Sequence, residues 1–230
     1  TEATCQTVGT VGNGFLPSEI KSVVDPVAYV ASIVNTTTSA GGADEESDDD
    51  YRERIHEAPE RFSTAGPTGA YEYWTKSANS GIIDVAVTSP SAGAVEIRPL
   101  MTEGTLPEQE LLDAVKTVVS ADKVRPLTDN VSVVAPDAVS YDITMTYYTD
   151  VGTAESTVKD AVTTAVDNYR LWQKSKIGRD INPSRLIADV MAVAGVKRVI
   201  VTAPTYTVLT GVQVAQDKTV SVVLGGSEDE

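Results

Sequence analysis

Apolar and polar residues alternate most cleanly between residues 139 and 148. Val139, Tyr141, Ile143, Met145 and Tyr147 are interleaved with Ser140, Asp142, Thr144, Thr146 and Tyr148. A repeat of two puts each set on its own face of an extended chain, so this stretch is predicted to be a strand with one face in a core. The repeat then lengthens to helical spacing. Val158, Ala161, Val162, Ala165, Tyr169 and Trp172 share one face, and so do Leu186, Ile187, Val190, Met191 and Ala194. The second of these helices opens on Asn182-Pro183 and stops at Gly195, the order that capping and helix termination favour. Residues 196–201 read as a strand. Residues 212–215 and 219–224 read as a hairpin before an acidic tail.

The same theme runs earlier in the chain. Ile83, Val85 and Val87 alternate, as do Val95 and Ile97, with a turn at residues 89–93 between them. Leu111, Leu112, Val115, Val118 and Val119 then mark a helix. Thr105 and Glu108 have capping-box spacing, with Pro107 in the first turn. Val131 and Val133 return as a strand. Upstream, Ala70, Tyr71, Trp74 and Ala78 predict a helix after Gly66-Pro67-Thr68. Tyr51, Ile55 and Phe62 predict another, ended or kinked at Pro59. Ser47, with Asp50 three residues on, is its expected N-cap, and acids precede arginines as the helix dipole prefers. Residues 1–40 alternate short apolar stretches with turn signals such as Gly12-Asn13-Gly14, Pro17-Ser18 and Asp25-Pro26, which predicts strands and loops.

The expected fold class is α+β: two small helix-on-antiparallel-sheet units in series, with a β-rich N-terminal segment and a C-terminal hairpin. The boundaries fall at 1–42 for the β-rich segment, 43–136 and 137–208 for the two units, and 209–230 for the hairpin and tail. The β-rich segment is expected to close a longer N-terminal domain, pairing with 205–225. The opening Thr1-Glu2-Ala3 suggests that further sequence precedes it.

Charge narrows the partners. The net charge is -15, whereas phosphate binding needs lysine and arginine to displace counterions. Arg52, Arg54 and Arg61 are interleaved with glutamates, Lys197-Arg198 is an isolated pair, and no basic patch stands out. Nucleic acid and anionic membrane are therefore poor partners. No apolar run nears the roughly 20 residues of a membrane helix. Cys5 is the single cysteine, so no intramolecular disulfide forms.

Candidate chemistry is sparse. Asp44, Glu45, Glu46, Asp48, Asp49 and Asp50 form the densest charge cluster. A calcium loop wants alternating carboxylates with a bend-permitting glycine, but this run holds no glycine and begins a predicted helix. His56 is the one histidine and has no motif around it, so a histidine triad has a single candidate base. Gly-x-Ser-x-Gly does not occur. Gly9, Gly12 and Gly14 match neither a dinucleotide fingerprint nor a P-loop. No Asp/Glu pair is singled out for glycosidase chemistry. No catalytic, cofactor-binding or metal-binding residue is assigned.

The segment Gly41-Gly42-Ala43-Asp44-Glu45-Glu46-Ser47-Asp48, followed by Tyr51-Arg52-Glu53-Arg54-Ile55, resembles the baseplate J-like proteins of contractile-tailed phages. The resemblance continues in order through Gly66-Pro67-Thr68, residues 71–74, Ile83-Asp84-Val85-Ala86-Val87, Val95-Glu96-Ile97 and Leu111-Leu112. It extends through Val124-Arg125-Pro126-Leu127-Thr128-Asp129, Val131-Ser132-Val133, residues 136–143, Asn182-Pro183-Ser184-Arg185-Leu186-Ile187 and Gly195-Val196. It implies a non-enzymatic wedge protein that joins neighbouring wedge subunits around the hub. The implied partners are adjacent wedge proteins, copies of itself in a ring, and hub or spike proteins, with no nucleic acid and no membrane insertion. The implied location is the virion tail baseplate, assembled in the bacterial host cytoplasm. Family members carry further sequence upstream, and the resemblance brings no catalytic residue and no cofactor. Two other readings compete: a calcium-dependent adhesin or surface-binding module, from the acidic run, and a glycan hydrolase using carboxylates. A rigid-body role makes Gly41-Gly42 and the Gly104 region candidate hinges.

Overall fold

The computed structural model describes residues 3–25, 28–59, 68–121 and 124–229. Pro26, Arg61, Phe62 and the Gly66-Pro67 step lie outside the described residues, as do the side chains of Asp50, Glu53 and Glu57. In chain order the elements are α1 (Asp48–Glu57), α2 (Thr68–Ala78), β1 (Ile82–Thr88), β2 (Ala94–Met101) and α3 (Gln109–Val119). They continue as β3 (Asn130–Val133), β4 (Asp137–Asp150), α4 (Glu155–Lys174), α5 (Pro183–Met191), β5 (Val196–Ala203) and β6 (Gln213–Glu228). The strands form two three-stranded sheets, ordered β1-β2-β3 and β5-β4-β6. The fold class is α+β.

Contacts divide the chain into two compact units. One comprises residues 1–82, 89–95 and 108–133, the other residues 83–88, 96–107 and 134–230. In the first, α3 packs on α2 and β3, and Tyr71, Tyr73, Leu112, Val115, Val119 and Val131 are buried. The Tyr71 hydroxyl donates to Asp129 at 2.8 Å, and burial, then this bond, raises its pKa. The expected capping box of α3 is not formed. The helix begins at Gln109, and its N-cap Glu108 makes no side-chain cap bond. Thr105 is extended and closes a 3-10 turn at Thr102–Gly104, its N–H reaching the Thr102 carbonyl. A residue committed to that turn is not available as a cap four positions before the helix.

In the second unit, β4 is the central strand. Tyr141, Ile143, Met145 and Tyr147 point into a core shared with Val158, Val162, Val166 and Tyr169 of α4 and with Leu186 and Val190 of α5. The stripe on α4 differs from the one expected. Ala161 is exposed, while Val166 and Gln173 are buried. Gln173 satisfies its amide internally. Its Nε2 donates to the carbonyls of Arg179 at 3.2 Å and Asp180 at 3.1 Å, and its Oε1 accepts from the Asn182 N–H at 3.4 Å. A polar residue with all its partners inside can be buried, which hydropathy alone does not reveal. The Asn182 cap forms as expected, its side chain accepting from the Ser184 N–H.

Three expectations are corrected. The C-terminal hairpin is one continuous strand, β6. Its expected turn around Asp217-Lys218 is instead a shift in register against β4, between Tyr141 and Ile143. Asp217 is bound by Arg170 and the Thr219 N–H by Asp142, so the chain runs on extended. The second sheet is mixed rather than antiparallel: β5 pairs antiparallel to β4 and β6 pairs parallel. A crossover through α4, α5 and β5 separates β4 from β6, and long connections of this kind permit parallel pairing. Finally, the described part of residues 1–42 contains no strand. Backbone bonds do join Gly14 to Ser39 and Ser18 to Asn35. The Asn35 side chain takes over the ladder's role, accepting from the Ile20 N–H and donating to the carbonyls of Leu16 and Thr37.

Candidate functional site

The acidic stretch before α1 is a framework of local bonds. Asp44 accepts from the Thr10 N–H at 3.0 Å and from the Thr10 hydroxyl at 3.1 Å. Its carbonyl accepts from Ser80. Glu46 takes a forked bond from Arg54, with Nε 2.9 Å and Nη2 2.8 Å away; that bond raises the Arg54 pKa against a smaller opposing effect of burial. Asp49 pairs with Arg52 at 2.6 Å. The Tyr51 N–H reaches the Ser47 carbonyl, so the helix starts where the sequence placed it. Each of these carboxylates turns to its own partner. Among the described residues, no three His, Cys, Asp or Glu side chains converge on a point that could hold a metal ion.

The other sequence candidates stand apart from one another. His56 is exposed in the last turn of α1. Gly9 and Gly14 adopt positive φ in a loop tied to the Gly41-Gly42 step: the Asn13 side chain donates to the Gly42 carbonyl at 2.7 Å and accepts from its N–H at 2.9 Å. A Cβ on Gly42 would lie 2.4 Å from the Gly9 carbonyl. Gly42 therefore permits a close backbone approach. Gly104 does the same: a Cβ there would meet the Lys174 carbonyl at 2.5 Å. Gly41, by contrast, has positive φ and nothing within 4 Å of an added Cβ.

What the chain offers instead is surface. Tyr51 and Ile55, on α1, are 49% and 55% exposed. The side of the second sheet opposite the helices carries Ile200 and Val223, both exposed and both opposite Thr146 in the register. On the same sheet Arg198 lies over the Tyr148 ring, 3.9 Å from its centroid, and pairs with Glu228. Arg98 in β2 pairs with Glu96 and Asp137, each at 2.8 Å. Burial opposes its charge, but those two bonds outweigh it and raise its pKa. No helix of the described residues is long and apolar enough to cross a membrane.

Two protein-family models match in succession: the Baseplate J-like central domain over residues 63–135 and the Baseplate J-like protein C-terminal domain over residues 141–223. The chain belongs to the baseplate J-like family. Its curated relative, baseplate protein J of Escherichia phage P2, is 36% identical over 182 residues, 78% of this chain and 60% of the P2 protein. A chain in the 6-fold symmetrised structure of the anti-feeding prophage (AFP) baseplate superposes with a TM-score of 0.51 at 16% identity, over 85% of this chain and 47% of the other. At that identity the likeness speaks to fold. This baseplate J-like chain thus spans about 60% of the length of the P2 protein.

Proposed function

We propose that this chain is a structural, non-enzymatic component of a contractile tail baseplate, joining neighbouring wedge subunits around the hub. The observation that carries the reading is the unbroken order of central and C-terminal J-like domains, supported by the likeness to P2 baseplate protein J. Its partners are adjacent wedge proteins, copies of itself in a ring, and hub or spike proteins. It binds no nucleic acid and inserts into no membrane. It is assembled in the host cytoplasm and resides in the virion tail baseplate. Its two compact units act as its building modules, and no residue serves as a catalytic, cofactor-binding or metal-binding group. The internal pairing of Asp44, Glu46 and Asp49 supports a scaffold role for the acidic stretch. Deleting the gene from a particle-producing strain tests this. Loss of baseplates, restored by complementation, is expected; contractile tails that assemble normally without the protein would refute the reading.

A further inference from the structure

The chain holds 18 basic residues against 33 acidic ones, yet one stretch reverses that balance. Between residues 170 and 186, Arg170, Lys174, Lys176, Arg179 and Arg185 stand against Asp180 alone. The stretch spans the end of α4, the turn after it and the start of α5. Its charges are spaced rather than adjacent, so a search for basic runs passes over them. Asp180 is already engaged, accepting from the Tyr206 hydroxyl at 2.6 Å and the Leu209 N–H at 2.9 Å.

Two of the cations are held against one ring. The Arg179 guanidinium carbon lies 4.3 Å from the Trp172 ring centroid, and that of Arg185 lies 5.3 Å from it. Arg185 has a counter-ion in Asp189 at 2.9 Å, and Arg170 has Asp217 and Asp167. Arg179 is different. Its bonds go to neutral acceptors, the Trp172 carbonyl and the Ser175 hydroxyl, and no described carboxylate lies within ion-pair distance of it. Burial lowers its pKa; Asp84 opposes that effect and Arg185 adds to it. A partly desolvated guanidinium beside a like charge gains most from a carboxylate that takes its remaining donors.

We propose that the α4–α5 turn is a docking surface for a carboxylate-rich segment, anchored by Arg179 and Arg185 beside Trp172, and that the segment is the acidic stretch 44–50 of a second copy of this chain. Charge complementarity selects that occupant. The stretch holds Asp44, Glu45, Glu46, Asp48, Asp49 and Asp50, and among the described residues Glu45 and Asp48 spend no carboxylate on an ion pair. A nucleic acid would meet the same cations but also the net charge of -15. Donor and acceptor patches are different surfaces, so the contact is head-to-tail, the kind that closes rings. The choice of a second copy rests on the ring-forming role proposed above; the cation surface itself does not.

The test is self-association of the 230-residue chain, followed by sedimentation velocity over a range of concentration and salt. Association that weakens with salt is expected. The pairs Arg179→Ala/Arg185→Ala and Glu45→Lys/Asp48→Lys should each weaken it by about tenfold or more, with unchanged circular dichroism. A labelled peptide carrying residues 42–50 should compete and change Trp172 fluorescence, and its Asn/Gln counterpart should not. A monomer that ignores the peptide, or association indifferent to both variant pairs, overturns the proposal. A peptide that binds a strictly monomeric chain overturns the second copy as occupant. If the arginine variant still enters complete baseplates while wild-type chains do not self-associate, this inference fails and the baseplate reading stands.

Discussion

Arg170 on α4 closes onto Asp217 on β6, with Nη2 2.5 Å and Nε 2.8 Å from the same carboxylate oxygen. Asp217 sits where the β4–β6 register shifts, and its side chain is 9% exposed. The pair holds extended a stretch whose sequence favours a turn. In Asp217→Ala, Arg170 keeps only Asp167. Bonds to charged groups contribute about 1.5–3 kcal/mol, so a loss of that order is expected. Urea unfolding monitored by tryptophan fluorescence would measure it.

Asn182 caps α5 through the Ser184 N–H at 3.0 Å, with Pro183 in the first turn. Replacing it with alanine leaves that donor without its side-chain acceptor. A cost of about 1 kcal/mol is expected. Asn182→Asp should recover most of it, since a carboxylate accepts the same bond and suits the helix N-terminus. Thermal melts of the three proteins check the order.

Tyr169 is fully buried, and its hydroxyl has no hydrogen-bond partner among the described residues. Burial, with a smaller push from Asp189, raises its pKa to about 12. The unfolded phenol titrates near pH 10, so below that pH both states keep the proton and stability is full. As pH rises above about 10 the unfolded chain releases a proton that the folded one retains, and stability falls until the folded pKa is reached. Tyr169→Phe should flatten this alkaline decline. At neutral pH it should be neutral or stabilising by up to about 1 kcal/mol, because an unpaired buried hydroxyl is removed. Denaturant midpoints measured across the alkaline range decide the matter.

Gly104 has φ +69, and a Cβ there would lie 2.5 Å from the Lys174 carbonyl. Its own carbonyl accepts from Gln216 at 2.7 Å. Gly104→Ala meets both backbone strain and a clash with main chain that cannot swing aside. Destabilisation of at least about 1–3 kcal/mol is expected. Gly152→Ala is the control: its φ is also positive, but nothing lies within 4 Å of the added Cβ. A smaller loss at Gly152 would separate steric contact from backbone strain.

Asp180 is held below the usual carboxylate range, chiefly by the Tyr206 hydroxyl and then by the Leu209 N–H. A depressed carboxylate contributes stability that is complete above its unfolded pKa, near 3.9, and is lost as pH falls through the folded value. The loop at 206–209 should therefore loosen under acid. Asp180→Asn should loosen it at neutral pH. Amide hydrogen exchange at Leu209 reads both.

Much of this protein follows from its sequence alone. The alternation on β4, the buried stripe of α3, the presence of helices at α4 and α5, the Asn182-Pro183 start and the acidic start of α1 are local properties. They follow from backbone geometry within a few residues, so a short window contains them. The ordered J-like segments were legible in the same way. Tertiary structure alone decided the rest. It set the parallel pairing of β6, its passage through the stretch read as a turn, the burial of Gln173, and the meeting of Arg179 and Arg185 at Trp172. The β6 features depend on Arg170 and Asp142, far back along the chain, which outweigh a local turn preference of about 1 kcal/mol. The Gln173 and Trp172 contacts depend on how the α4–α5 turn folds back on itself.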